Sequence, residues 1–123
     1  MSETGVASDT EKIAAAIETY VEGGISGRGA DMKPAFHKDA TIFGYIGDDL
    51  FGGPIQLLFD WNDSNGPAPD LRHRIASIDV QGSIATVRLE LDNWTGHKFT
   101  DMFTLLKTEG EWKILSKVFY LHP

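Results

Sequence analysis

The amino-acid sequence predicts an α+β domain, with three N-terminal helices packed on a strongly curved, mostly antiparallel sheet. Three observations lead there. Apolar residues recur at helical spacing near the start of the chain. Glycines at 82, 96 and 110, fourteen residues apart, divide the second half into long β-rich runs. A length of 123 residues and 13.5 kDa provides for one core and one domain, residues 1–123.

Ile13, Ile17, Tyr20, Val21 and Ile25 form the apolar stripe of the first helix. Ser8 followed by Glu11 fits a capping box, so this helix begins near Asp9, and residues 1–8 are expected to be a flexible N-terminus. Gly23-Gly24 and Gly27-Arg28-Gly29 end it. A short second helix is expected over Asp31 to His37, with Pro34 in its first turn. Thr41 to Ile46 has the content of a strand, and Gly47-Asp48-Asp49 turns it. Pro54 suits the start of a third helix reaching about Trp61 and burying Ile55, Leu58 and Phe59. The runs between the spaced glycines are about ten residues long, against ~5–6 for an average strand, and strands of that length coil strongly.

Side-chain parity adds detail. Ala85, Val87, Leu89 and Leu91 share one face, and Phe99, Asp101, Phe103 and Leu105 share another. Matching these rows pairs residue 89 with 101 and places Asp101 on the core face. A three- or five-residue loop at Thr95-Gly96 would give that register. A two-residue turn at Glu109-Gly110 would set Val118 across from Asp101 and Tyr120 across from Phe99. Leu115, Phe119 and Leu121 would then face outward beside Met102 and Leu106. A sheet apolar on both faces needs both covered, which predicts a homodimer packed through the sheet.

Composition excludes several classes of function. Eleven basic and eighteen acidic residues give a net charge of −7, a field that repels nucleic acid. Cysteine is absent, removing disulfides, thiolate metal sites and thiol catalysis. His37, His73, His97 and His122 are too scattered in sequence to predict a metal site. No signal peptide or membrane span is evident, so the cytoplasm is the expected location. Gly27-Arg28-Gly29 follows a helix and is no dinucleotide fingerprint. No cofactor is expected.

Four segments carry a family resemblance. They are Ile17-Glu18-Thr19-Tyr20-Val21, Phe36 to Gly44 (FHKDATIFG), Phe99 to Phe103 (FTDMF) and Glu111 to Phe119 (EWKILSKVF). In order and spacing they resemble the nuclear transport factor 2-like superfamily, most closely the branch labelled putative lumazine-binding, a relative of the SnoaL-like cyclases and ketosteroid isomerases. The resemblance implies a cone-shaped roll with its mouth between the helices and the concave sheet. In ketosteroid isomerases a tyrosine and a protonated aspartic acid donate hydrogen bonds to the substrate oxygen while a second aspartate moves the proton. On this resemblance Tyr20 matches the tyrosine, Asp101 the protonated acid, and Gly44 the base. Gly44 has no side chain, which argues against steroid isomerisation by that route.

Asp101 is the most informative residue. Among Phe99, Phe103, Leu89 and Val118 an ionised carboxylate must be paired, hydrated or protonated. It is either a donor to a ligand oxygen or a structural acid satisfied by Tyr20, a strand neighbour or buried water. Tyr20 is either a site residue or a core tyrosine with one hydrogen bond. His73 turns inward as a candidate base if a bulge near Ala76-Ser77 lets Ile75 and Ile78 both face the core. Asp48 and Asp49 are the other candidate bases, and Asp39 reads as a turn acid. Phe36, Ile42, Leu58, Trp61, Phe103 and Tyr120 are expected to enclose a small apolar ligand, with Gly44 beside it. The expected function is a small-molecule pocket protein, in its catalytic form a cofactor-free isomerase, cyclase or dehydratase-like enzyme acting on an apolar carbonyl compound. The alternative is a non-catalytic binding or dimeric interaction module.

Overall fold

Ser8 opens the first helix as its capping pattern predicts. Its hydroxyl accepts from the Glu11 backbone N–H at 3.1 Å, and its own N–H donates to Glu11 Oε1 at 3.0 Å. In the computed structural model, which describes residues 8–123, this helix is α1, Asp9–Ser26. It ends on Gly27 at φ 75°, a left-handed position where a side chain would be strained. Ser8 is thus an ordered cap, while the rest of the expected flexible terminus lies outside the described residues.

The second helix differs from expectation. α2 covers Gly29–Met32 and passes into a 3₁₀ turn, Lys33–Ala35, that accommodates Pro34. Phe36 and His37 already belong to β1, Phe36–Ile46, where Phe36 is drawn into register with Ile114. A strand absent from the sequence reading follows: β2, Asp49–Pro54, pairs antiparallel with β1 from Ile46↔Asp49 to Thr41↔Pro54. Its two glycines do not favour a strand and Pro54 suits the start of a helix, but ladder pairing overrides that composition. Pro54 therefore closes β2, and the third helix, α3, starts later, at Gln56–Asn65.

The remaining strands are β3 Arg72–Gln81, β4 Ile84–Trp94, β5 His97–Thr108 and β6 Glu111–Leu121. The sheet order is β2-β1-β6-β5-β4-β3, with β1 and β6 parallel and every other neighbouring pair antiparallel. α1 packs across the concave face, burying Ile13, Ile17, Tyr20 and Val21 against Leu89, Leu91, Phe103 and Ile114. The architecture is the α+β roll the sequence predicts.

Four register shifts interrupt the sheet, one between Phe36 and Thr41 on β1 and three bulges that set which side chains face that core. The predicted one lies between Ile75 and Ser77 on β3. The second lies beyond Leu91. The Thr95-Gly96 turn has only two residues, with Trp94 opposite His97, and positive φ at Asn93 (61°), Thr95 (47°) and Gly96 (91°) absorbs the slip. Leu89 still pairs with Asp101, so the predicted register holds although the predicted longer loop does not. The third bulge, at Leu115, corrects the reading of β6. The Glu109-Gly110 turn is two residues, as expected, but pairing moves from Leu105↔Ile114 to Thr104↔Ser116. Beyond that point every side chain changes face. Lys117 and Phe119 point into the roll, while Val118 and Tyr120 point out.

Candidate functional site

Two cross-strand rows on the concave face define the site. One runs Gly44, Phe119, Asp101, Leu89 and Ile75; the next runs Ile42, Lys117, Phe103, Val87 and Ile78. Lys117 opposes Phe103 and Phe119 opposes Asp101, so Lys117 and Asp101 are diagonal neighbours on β6 and β5. The helix supplies the third member. Tyr20, on the buried stripe of α1, donates its hydroxyl hydrogen to Asp101 Oδ2 at 2.8 Å.

All three groups are sequestered from water. Asp101 has no exposed surface, and Lys117 is 4 % exposed. Lys117 Nζ lies 3.7 Å from Asp101 Oδ1, an ion-pair distance that leaves Oδ1 without a hydrogen bond. Burial raises the Asp101 pKa above 3.8, against the opposing pull of the Lys117 charge and the Tyr20 hydrogen bond. Burial likewise lowers Lys117 below 10.5, against the attraction of Asp101. Tyr20 is driven well above 10.0 by burial and then by the neighbouring carboxylate, so it remains a neutral donor. Rings of Phe36, Trp94 and Phe103 surround Tyr20 at centroid distances of 5.8, 5.8 and 5.5 Å and fix its position.

Beside this trio lies a cavity of about 110 Å³. Ile42, Leu58, Trp61, Trp94, Phe99 and Phe119 form its apolar wall, with Phe51 and Leu121 beside them. Lys117 and His97 are the titratable residues of the lining. Exposed Ile46 and His97 stand at its rim. The Lys117 ammonium sits 4.8 Å from the Phe119 ring centroid, within range of a cation–π attraction.

The structure does not bring the sequence-predicted residues together in one place. Ile42, Leu58 and Trp61 line the cavity. Asp101, Tyr20, Phe36 and Phe103 lie in the core around it, with no part in its lining. Tyr120 is corrected outright. The Leu115 bulge turns it to the convex face, where it pairs with Thr100 and stays exposed. Gly44 is buried, but a Cβ there would meet the Phe119 ring at 2.5 Å. The ring, not a ligand, occupies the space that a side chain at position 44 would need. His73 faces α1 at the sheet edge, its Nε2 2.6 Å from Glu18 Oε2, away from the cavity. Asp48, in the β1–β2 turn, and Asp49, the first residue of β2, are exposed and do not line it either.

Lys117 is the residue that sequence reasoning missed. The signal was the supposedly outward row of Leu115, Phe119 and Leu121. Three large apolar residues on a solvent face indicate that parity has slipped, and restoring it carries Lys117 inward with them.

The comparisons agree with this fold. A family model described as "Putative lumazine-binding" matches residues 8–120. A curated relative, Aldolase FrzH of a Cladobotryum species, is 30 % identical over 117 residues, spanning 94 % of each chain. A crystal structure from Methylobacillus flagellatus KT, described as an NTF2-like protein of unknown function, is 51 % identical with a TM-score of 0.91, over 94 % of this chain and 93 % of that one. A ketosteroid isomerase-like protein from Erwinia carotovora atroseptica is 16 % identical with a TM-score of 0.70, covering 92 % of this chain and 95 % of its own, a likeness of fold alone.

Proposed function

This chain belongs to the putative lumazine-binding family of nuclear transport factor 2-like proteins, and on that premise we propose that it binds a small apolar carbonyl compound and promotes enolate-type chemistry on it. One observation carries the reading: a nearly inaccessible ammonium group, Lys117, stands in an otherwise apolar cavity wall, backed by the Asp101 carboxylate. A buried charge of this kind is expensive to keep unless it is used or paired. Lys117 donates to the ligand oxygen and stabilises the negative charge that develops as an enolate forms. Asp101 supplies the counter-charge, and Tyr20 positions Asp101 by holding its other oxygen. This revises the role the sequence suggests for Tyr20 and Asp101, since the Tyr20 hydrogen is directed at Asp101 and not at the cavity. His97, at the rim, carries the proton.

Size narrows the ligand. A cavity of about 110 Å³ is comparable to the roughly 150 Å³ apolar cavity that holds one benzene. The ligand is on the scale of one small ring, well short of a steroid. The curated relative's name, aldolase, supports carbonyl chemistry of this class. A thermal-shift panel of cyclic ketones, followed by NMR detection of α-hydrogen exchange in D₂O, tests the proposal. Stabilisation with exchange supports it, and removing the Lys117 donor lowers the exchange rate by about 10²–10³. Stabilisation without exchange, in every ketone tried, contradicts the catalytic part.

A binding module without chemistry is the second reading. The closing of the Gly44 position by Phe119, and a lining that contains no carboxylate, favour it. In either case we read the convex face as the contact for a second copy of the chain, in the cytoplasm. Phe43, Tyr45, Met102, Val118 and Tyr120 are between 42 % and 62 % exposed there, an apolar patch that supports burial in a dimer. No helix among the described residues is long and apolar enough to cross a membrane.

A further inference from the structure

Lys117 is the one primary amine among the described residues that is both nearly withdrawn from solvent and part of a cavity wall. An exposed lysine is kept protonated by water and is a poor nucleophile. Burial in an apolar wall disfavours the ammonium, and a carboxylate within reach can receive its proton. Both conditions meet here. Asp101 Oδ1 lies 3.7 Å from Nζ and has no hydrogen bond of its own, while Tyr20 occupies Oδ2 and so leaves Oδ1 to Lys117.

We infer that Lys117 forms a covalent imine with the carbonyl carbon of an apolar ketone or aldehyde that enters the cavity. This rests on the reading of the cavity as a carbonyl site and deepens it. Asp101 takes one proton from the ammonium. The amine lone pair then forms the N–C bond while the C=O π pair moves to oxygen, and a proton passes from nitrogen to that oxygen to give a neutral carbinolamine. Asp101 returns its proton to the hydroxyl, the C–O bond breaks, and water leaves. The sum is ammonium plus carbonyl giving protonated imine plus water, with Asp101 again a carboxylate and no oxidant or reductant consumed. The resulting cation keeps the carboxylate beside it and the Phe119 ring, 4.8 Å from the original Nζ position, against it. Such an iminium withdraws electrons from the adjacent C–H and C–C bonds more strongly than the parent carbonyl, and loss of an α-proton from it gives an enamine, the nitrogen counterpart of the enolate.

The experiment incubates the full chain with cyclohexanone and sodium cyanoborohydride near neutral pH, then maps the reduced secondary amine by peptide mass spectrometry. The expected result is early modification at Lys117, ahead of the exposed lysines. Lys117→Arg, checked for native circular dichroism, loses that adduct. Asp101→Asn slows its formation by roughly 10²-fold, the scale of a lost proton-transfer group. If Lys117→Arg does not fold, the site of modification in the wild-type chain still decides the question. Adducts on exposed lysines with Lys117 bare overturn the inference. In that event, continued ketone binding and α-hydrogen exchange would mean a carbonyl site working without an imine. Absence of binding, exchange and adduct together would remove both readings.

Discussion

The ring of Phe119 lies 2.5 Å from where a Cβ on Gly44 would stand. The two residues face each other across the parallel β1–β6 pair, so the position without a side chain and the aromatic wall of the cavity are one feature. Gly44→Ala is therefore expected to cost about 1–3 kcal/mol of stability through overpacking. Combining it with Phe119→Ala removes the ring contact but leaves the Phe119 carbonyl oxygen 2.6 Å from the Cβ, so the double variant is expected to cost less than the two single costs summed while part of the strain remains. Urea denaturation of the four proteins in the cycle measures this. A neutral Gly44→Ala would show that the Phe119 ring gives way freely.

Lys117→Met strands the Asp101 carboxylate, fully buried, without its counter-charge. Breaking a buried pair by removing one partner costs about 3–5 kcal/mol, whereas replacing both partners with apolar residues is often neutral. Lys117→Met is thus expected to destabilise strongly at neutral pH, and adding Asp101→Leu to recover most of the loss. Denaturant midpoints compare the single and double variants. A double variant as unstable as the single one would mean that the pair is not what Lys117→Met disrupts.

The carboxylates should titrate in opposite directions. Burial raises Asp101, so the folded chain keeps this proton to higher pH than the unfolded chain. Its contribution to stability is full below 3.8 and declines as pH rises through the folded value. Asp9 is lowered, by hydrogen bonds from Trp112 and Lys107. Its contribution is present above 3.8 and is lost as pH falls through the folded value. Carbon-detected NMR of the side-chain carboxyls should place the Asp101 midpoint above 3.8 and that of Asp9 below it. An Asp101 midpoint at or below 3.8 would mean that its partners outweigh burial.

Much of the fold was legible because it rests on local rules. The capping box at Ser8 and Glu11, the left-handed stop at Gly27 and the pairing of Leu89 with Asp101 follow from sequence pattern and core parity. What was not legible depends on pairing energetics between distant segments. β2 is a strand because β1 offers it a ladder, not because Gly52, Gly53 and Pro54 favour one. The Leu115 bulge is marked in sequence only by the apolar row of Leu115, Phe119 and Leu121 that strict alternation turns outward, yet it decides that Lys117 and Phe119 turn in and Tyr120 turns out. The site was half visible for the same reason. Tyr20 and Asp101 lie upstream of the bulge, whereas the group that reaches the cavity lies beyond it.

The convex face carries a prediction of its own. Val118→Asp and Tyr120→Asp place charge in the exposed apolar patch without touching the concave core. The native chain is expected to scatter light as a dimer at micromolar concentration, and the double variant as a monomer with the same circular dichroism. A native chain that is already monomeric would leave this face without the second copy proposed for it.

The account stands most directly on whether the Lys117 amine meets a ligand carbonyl. Titration calorimetry of a cyclic ketone and of its carbon-only counterpart, methylenecyclohexane, into the native chain and into Lys117→Met isolates that contact. The native chain should prefer the ketone by about tenfold or more, the scale of a hydrogen bond to a charged group, and Lys117→Met should lose the preference while still binding the hydrocarbon. Equal affinity for the two compounds in the native chain would contradict it.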